Sequence, residues 1–230
     1  RVYSIQRRGF VSVRIALIHA TPVAMEPIRQ AFAEDWLEAE LVNLLDDSLS
    51  PDLKEAGSET DEIKRRIADL ARYAVLVGSG AILYSCSAFG HSIELVAESL
   101  DLPVLKPNQA MFEQAMDSGE RIGMLATFGP SVPSMEREFK EMAAERGVKV
   151  QLESILVEEA MVALRSGDAA THNRLVAEAA PRLKHCDAVM LAHFSTSRAL
   201  EQVSGMIARP VLTSPHSAVA KLKSLIGKQG

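Results

Sequence analysis

Short apolar runs that stop abruptly at small polar residues recur along this chain, and each is followed by sequence of helical periodicity. Val13-Arg14-Ile15-Ala16-Leu17-Ile18 runs into His19-Ala20-Thr21-Pro22, which predicts a buried strand ending in a loop, with a helix over Glu26 to Glu34. Glu40 to Leu45 predicts a second strand ending at Asp46-Asp47-Ser48. From Asp61 to Tyr73, Ile63, Ile67 and Leu70 share one helical face opposite charged residues. Ala74 to Val77 reads as an early start to the third strand, interrupted by Gly78-Ser79-Gly80. That strand then runs from Ala81 to Cys86, followed by a helix over Gly90 to Leu100 and the run Pro103-Val104-Leu105.

The second half repeats the order. Arg121 to Ala126 is strand-like, Met135 to Arg146 helical, Val148 to Val157 strand-like, and Glu158 to Arg165 and Asn173 to Leu183 helical. Ala188 to Ala192 predicts a strand, Ser197 to Met206 a helix, and Pro210-Val211-Leu212 the last strand. Cys86 and His193 lie 107 positions apart, as do Ile15 and Ile122, and Pro103 and Pro210. Three landmarks at one spacing indicate an internal duplication. Strands alternating with helices predict parallel sheets. The expected fold class is therefore α/β, with two pseudo-symmetric parallel-sheet domains and the active site in the cleft between them. The expected division is 13–112 plus 211–230 for the first lobe and 113–210 for the second, with the last strand and final helix returning together to the first. Residues 1–12, with three arginines before Phe10 and no acid, read as an N-terminal extension, an organelle leader being the alternative.

Composition narrows the function classes. The chain has 230 residues, 47% hydrophobic and 24% charged, ordinary for a globular protein, and its net charge of −5 gives no footing for nucleic acid or an anionic membrane. Two cysteines do not make a disulfide framework, so a reducing compartment, the cytoplasm, is expected. No apolar run reaches the roughly 20 residues of a spanning helix.

Ligands of parallel α/β folds bind outside the carboxyl ends of the strands. His19, Thr21, Asp46, Asp47, Cys86, Thr127 and His193 all fall there. Cys86, where a strand gives way to a helix, is expected to be drawn toward the thiolate by N–H groups and the helix dipole. His193 titrates near neutral pH. With a substrate between them, one group removes a proton from the α-carbon and the other delivers one to the opposite face. Loss of carbon dioxide would need only one donor, and a third version uses Cys86 as nucleophile with His193 as its base. Each version builds charge on oxygen, for which Ser87 and the N–H groups after Cys86, and Thr127 with Ser131, are candidate donors. Asp46 would orient a substrate amine or hydroxyl. His19, His91, His193 and His216 fall near one edge, but their spacing fits no metal motif, so no metal is expected.

The strand ending in Cys86-Ser87-Ala88, the second strand Asp187 to Ala192, the loop Thr127-x-x-x-Ser131-Val132-x-Ser134 and the duplicated halves together resemble the aspartate/glutamate/hydantoin racemase superfamily. The resemblance runs from about Val13 to the end. It implies two similar α/β domains, no cofactor, a small carboxylate or hydantoin-like substrate, and cysteine acid/base chemistry next to a carboxylate. Its members include racemases, maleate isomerase and arylmalonate decarboxylase, and they commonly form homo-oligomers. The substrate-binding positions expected in the first lobe are Thr21, Asp46, Ser87 and Ala88. In the second they are Thr127, Ser131, Phe194 and Ser195. One departure stands out, since racemases of this kind carry a cysteine at both strand ends and the second position here is His193. Cys186 precedes its strand and does not replace it, and the decarboxylases keep only the second cysteine. The expected function is a cofactor-independent isomerase using Cys86 and His193, with a decarboxylase or a non-catalytic small-molecule-binding homologue as alternatives.

Overall fold

The computed structural model describes residues 12–228, so residues 1–11 of the expected extension lie outside it. The first half comprises β1 (Arg14–His19), α1 (Met25–Asp35), β2 (Glu40–Leu45), α2 (Leu49–Ala56), α3 (Asp61–Leu76), β3 (Ala81–Tyr84), α4 (Gly90–Ser99), β4 (Val104–Leu105) and α5 (Gln109–Ser118). The second comprises β5 (Arg121–Ala126), α6 (Val132–Glu145), β6 (Gln151–Leu156), α7 (Glu158–Arg165), α8 (Ala169–Ala179), β7 (Ala188–Leu191), α9 (Leu200–Met206), β8 (Val211–Thr213) and α10 (Ser214–Gly227). Two four-stranded sheets result, ordered β2-β1-β3-β4 and β6-β5-β7-β8, and every pairing is parallel. Helices cover both faces of each sheet, which is why β3 and β7 are buried at every position and read as unbroken apolar runs.

The duplication is exact in register where the sequence placed it. Ile15 pairs with Ala81 and Ile122 with Ala188, while Ile82 pairs with Val104 and Val189 with Val211, each pair shifted by the same 107. Only β2 and β6 depart. Arg14 pairs with Glu40 and Arg121 with Gln151, so β6 enters four residues late, and a shorter connection to β7 restores the spacing.

Two expectations are corrected. Ala74 to Leu76 do not begin a strand but complete α3. Gly78, at φ 78°, takes the left-handed turn that closes it, with Gly78 N–H donating to Val75 O and Ser79 N–H to Ala74 O. The return to the first lobe is also divided. β8 pairs with β7 in the second sheet, through Leu191 and Thr213, and only α10 crosses over. There Ala218, Val219 and Leu222 pack with Ile15 and Leu17 of the first sheet. Helix α5, whose residues the expected boundary at 112 would have split, makes the reciprocal move. Its Met111, Phe112 and Ala115 pack with Ile122 and Met124 of the second sheet. Each half thus lends its last helix to the other. The exchanged helices are joined by Ser214 Oγ to Asn108 Oδ1 (3.0 Å), Ser217 Oγ to Gln114 Oε1 (2.8 Å) and Lys221 Nζ to Glu113 Oε2 (2.8 Å).

Candidate active site

Cys86 and His193 each lie two residues beyond the end of their strand, Cys86 after β3 and His193 after β7. Single 3-10 turns follow, Ser87–Phe89 and Ser195–Ala199, and lead into α4 and α9. Both turns open on the seam between lobes. A cavity of about 340 Å³ is lined from the first lobe by Ser87, Ala88, His91 and Lys106, and from α6 by Ser134 and Arg137. A second, of about 480 Å³, lies between α1 and the turn after His193. Their linings correspond at the 107 spacing: Pro27 with Ser134, Gln30 with Arg137, Glu34 with Glu141, His91 with Arg198 and Glu94 with Glu201. A pseudo-twofold therefore relates the two seams, and the turns bearing Cys86 and His193 open onto equivalent seams. Neither cavity is lined by Cys86 or His193.

The two positions differ in conformation. Cys86 is extended (φ −117°, ψ 121°), whereas His193 holds φ 70°, the one left-handed non-glycine among the described residues. Burial pushes the Cys86 thiol up from its usual value, against a hydrogen bond from the backbone at Ala88 that acts to lower it. This corrects the expected thiolate, because desolvation of the buried sulfur outweighs the backbone hydrogen bond. His193 moves the other way. Burial lowers it, opposed by the backbone at Ala192. Its Nε2 lies 2.5 Å from Ser131 Oγ, its Nδ1 is buried with no hydrogen-bond partner, and the Phe128 ring meets it edge-on at 6.5 Å. A left-handed residue with a Cβ costs about 1 kcal/mol. His193→Gly is accordingly expected to be more stable than His193→Ala by about that amount in urea unfolding, and equal stability would show the backbone there to be unstrained.

The other expected positions divide. Thr127 is buried and lies 3.3 Å from Thr196, oxygen to oxygen, which ties the β5 loop to the turn after His193. Thr196 was missed in the sequence, though its place three residues past His193 marks it. Thr21 is extended, and its side chain makes no capping bond. Ser87 and Ala88 are exposed and Ser195 half-buried. Phe194, 5% exposed, is packed into the core of the first lobe with α1 and α10. The Asp46 carboxylate is already engaged by Arg66 (2.6 Å) and Ser48 (2.7 Å). Burial acts to raise it, but those two partners prevail and hold it below the usual range.

The histidines weighed together in the sequence are dispersed. His19 is fully buried, bonded through Nδ1 to Ser85 (2.8 Å) and Nε2 to Asn43 (3.0 Å). His91 and His216 line opposite cavities. Among the described residues, the ligand-type side chains that do converge are Glu153, His185 and Cys186, at the amino edge of the second sheet.

The Asp/Glu/Hydantoin racemase family matches residues 18–185, well over half of the chain. The chain belongs to that family. The match ends before β7, so it includes Cys86 but not His193. A search of curated proteins returns no match. Among solved structures, a glutamate racemase isoform from Bacillus anthracis superposes with TM-score 0.70 at 14% identity, over 96% of this chain and 83% of that one. An aspartate racemase homologue from Pyrococcus horikoshii gives 0.67 at 16%, covering 93% and 99%. Allantoin racemase from Pseudomonas fluorescens gives 0.67 at 18%, covering 94% and 92%. Membership in the racemase family places the protein among enzymes of isomerase type. No helix among the described residues is long and apolar enough to cross a membrane.

Proposed function

We propose that this member of the racemase family inverts the α-carbon of a small carboxylate or hydantoin-like compound without a cofactor, using Cys86 and His193 as its two proton-handling groups. The observation that carries the reading is the opposite displacement of the pair. Burial holds Cys86 as a thiol and His193 as a neutral ring, so at neutral pH one strand end offers a proton and the other accepts one. The substrate Cα–H bond breaks toward the imidazole and leaves its electron pair in the enolate. The thiol S–H then breaks and its proton joins the carbon from the opposite face. The enzyme is left as imidazolium and thiolate, which is the state needed to run the reverse direction, and proton return through solvent restores the first form.

Charge near the strand ends favours a substrate with little negative charge. Arg66 is taken up by Asp46 and Asp52, and Lys106 by Glu94. Arg165, 5.6 Å from the centroid of the Phe128 ring that borders His193, and Arg198, lining the cavity after His193, are cations placed to receive one carboxylate. Allantoin, whose racemase is among the similar folds, fits this charge better than glutamate or aspartate.

The test incubates the protein in heavy water with allantoin, L-glutamate and L-aspartate separately. Deuterium entering the carbon beside the carbonyl, with loss of optical activity and no carbon dioxide, is the expected result. Carbon dioxide release would make the protein a decarboxylase instead. Binding without exchange, unaffected by Cys86→Ala, would make it a binding protein.

A further inference from the structure

We propose that Glu153, His185 and Cys186 form a binding site for a divalent transition ion of the zinc class, at the end of the second sheet opposite His193. The site is independent of the proton transfer assigned to Cys86 and His193, since Cys186 precedes β7 and His193 follows it.

One ligand atom from each of the three residues lies within 4.8 Å of the other two. His185 Nε2 and Glu153 Oε2 are 2.9 Å apart on side chains 48% and 52% exposed, whereas Cys186 is buried at 1%. A tetrahedral zinc ion stands about 2.3 Å from sulfur and about 2.0–2.2 Å from nitrogen or oxygen, which sets ligand atoms about 3.3–3.6 Å apart. Small rotations of the two exposed side chains cover the difference. The donors select the ion, because thiolate and imidazole favour zinc over magnesium or calcium, which take oxygen. Thiolate and carboxylate together neutralise a doubly charged cation, and three protein ligands leave the fourth position to water.

The duplication shows that the fold does not require these residues. At the 107 spacing Cys186 falls on Ser79 and His185 on Gly78. The backbone keeps the equivalence, since Asp187 N–H donates to Arg121 O as Gly80 N–H does to Arg14 O. Glu153 pairs with Gly123 where Val42 pairs with Ala16. The first lobe thus builds the same edge from Val42, Gly78 and Ser79, and the second has a ligand type at all three places. Gly123 belongs to the same adaptation. A Cβ there would stand 2.8 Å from Leu183 Cδ1, so glycine lets the turn that leads to His185 settle onto β5. The ion would clasp β6, across β5, to the segment that enters β7.

Binding breaks the Cys186 S–H bond, the electron pair going to the metal and the proton to solvent. Burial raises this thiol. The Glu153 and Asp187 charges act the same way, and Arg121 and Arg209 oppose them. A cation held between thiolate and carboxylate reverses the effect of Glu153, and affinity should fall as the pH is lowered.

The full chain, stripped of metal with EDTA and kept reduced, is titrated with cobalt(II) alone. A single cobalt per chain is expected, with a near-ultraviolet thiolate-to-cobalt charge-transfer band and visible bands of four-coordinate intensity, both abolished by zinc. Cys186→Ser is expected to remove the charge-transfer band and Cys86→Ser to keep it. Loss of an outer-shell partner alone costs about 10–100-fold in metal affinity, so His185→Ala and Glu153→Gln should each weaken cobalt binding by at least about tenfold. No charge-transfer band in the wild-type protein at a large excess of cobalt overturns the proposal. So does a band that survives Cys186→Ser or is lost in Cys86→Ser, which would put the metal at the seam. Should Cys186→Ser fail to fold, the two variants at half-exposed positions decide, and unchanged cobalt affinity in both overturns the proposal. None of these spectra depends on turnover.

Discussion

Cys86→Ala is expected to lower racemisation by about 10²–10⁴-fold, the usual worth of a positioned acid or base, and to do so unequally for the two enantiomers. Each group serves one face of the α-carbon. Without the thiol, His193 still takes a proton from the enantiomer that faces it and returns deuterium to the same face, so exchange without inversion survives for that enantiomer alone. His193→Asn is expected to leave far less. The remaining thiol is held protonated by burial and is a weak base at neutral pH, so exchange of the other enantiomer should emerge only as the solution becomes alkaline. Proton exchange followed separately for each enantiomer reads both effects. Equal loss for both enantiomers in both variants would mean that the residues act as one unit, as a nucleophile and its base would. Full activity in either variant would remove that residue from the reaction.

Why the duplication was legible, and the protonation state of Cys86 was not, follows from what sequence records. A strand buried on both faces leaves an apolar run, and a duplicated chain leaves it twice, so the spacing from Ile15 to Ile122 marked the duplication that the strand pairings repeat. The exchange of α5 and α10 was not recoverable in the same way. The apolar face of Met111, Phe112 and Ala115 says that the helix is buried, but both sheets offer an equivalent surface to bury it on. The state of Cys86 is set by burial, which a strand-to-helix junction in the sequence does not disclose: desolvation outweighs the backbone hydrogen bond at Ala88. His193 taking φ 70° between Ala192 and Phe194 left little trace. Left-handed backbone is read first from glycine or asparagine, and a single histidine marks it only weakly.

Acidification is expected to destabilise this protein earlier than its carboxylates alone would cause. Burial lowers His19, His172 and His193 from their usual value of 6.5. A histidine depressed in the folded state is neutral there while the unfolded chain takes up a proton. The stability it contributes is complete above the unfolded value and is lost as pH falls from that value toward the folded one. Each such ring gives a slope of about 1.4 kcal/mol per pH unit, set against a total of about 5–15 kcal/mol. Glu138 works in the opposite sense, since burial raises it, chiefly at the lower end of the range. Asp46, Asp168 and Asp187 are lowered and lose their contribution only below the ordinary carboxylate range. Urea unfolding between about pH 7.5 and about pH 5 is thus expected to show stability falling as roughly two to three protons are taken up. His172→Met should remove close to one proton of that slope, because the His172 ring is buried and its Nε2 has no partner to accept a second hydrogen. His19 should be the easiest of the three to protonate in the folded state and so contribute least to the slope. Asn43 already receives its Nε2–H, and protonation requires only that the Ser85 hydroxyl turn from donor to acceptor at Nδ1. A flat stability profile over this interval would show that the three rings are hydrated enough to titrate as they do in the unfolded chain.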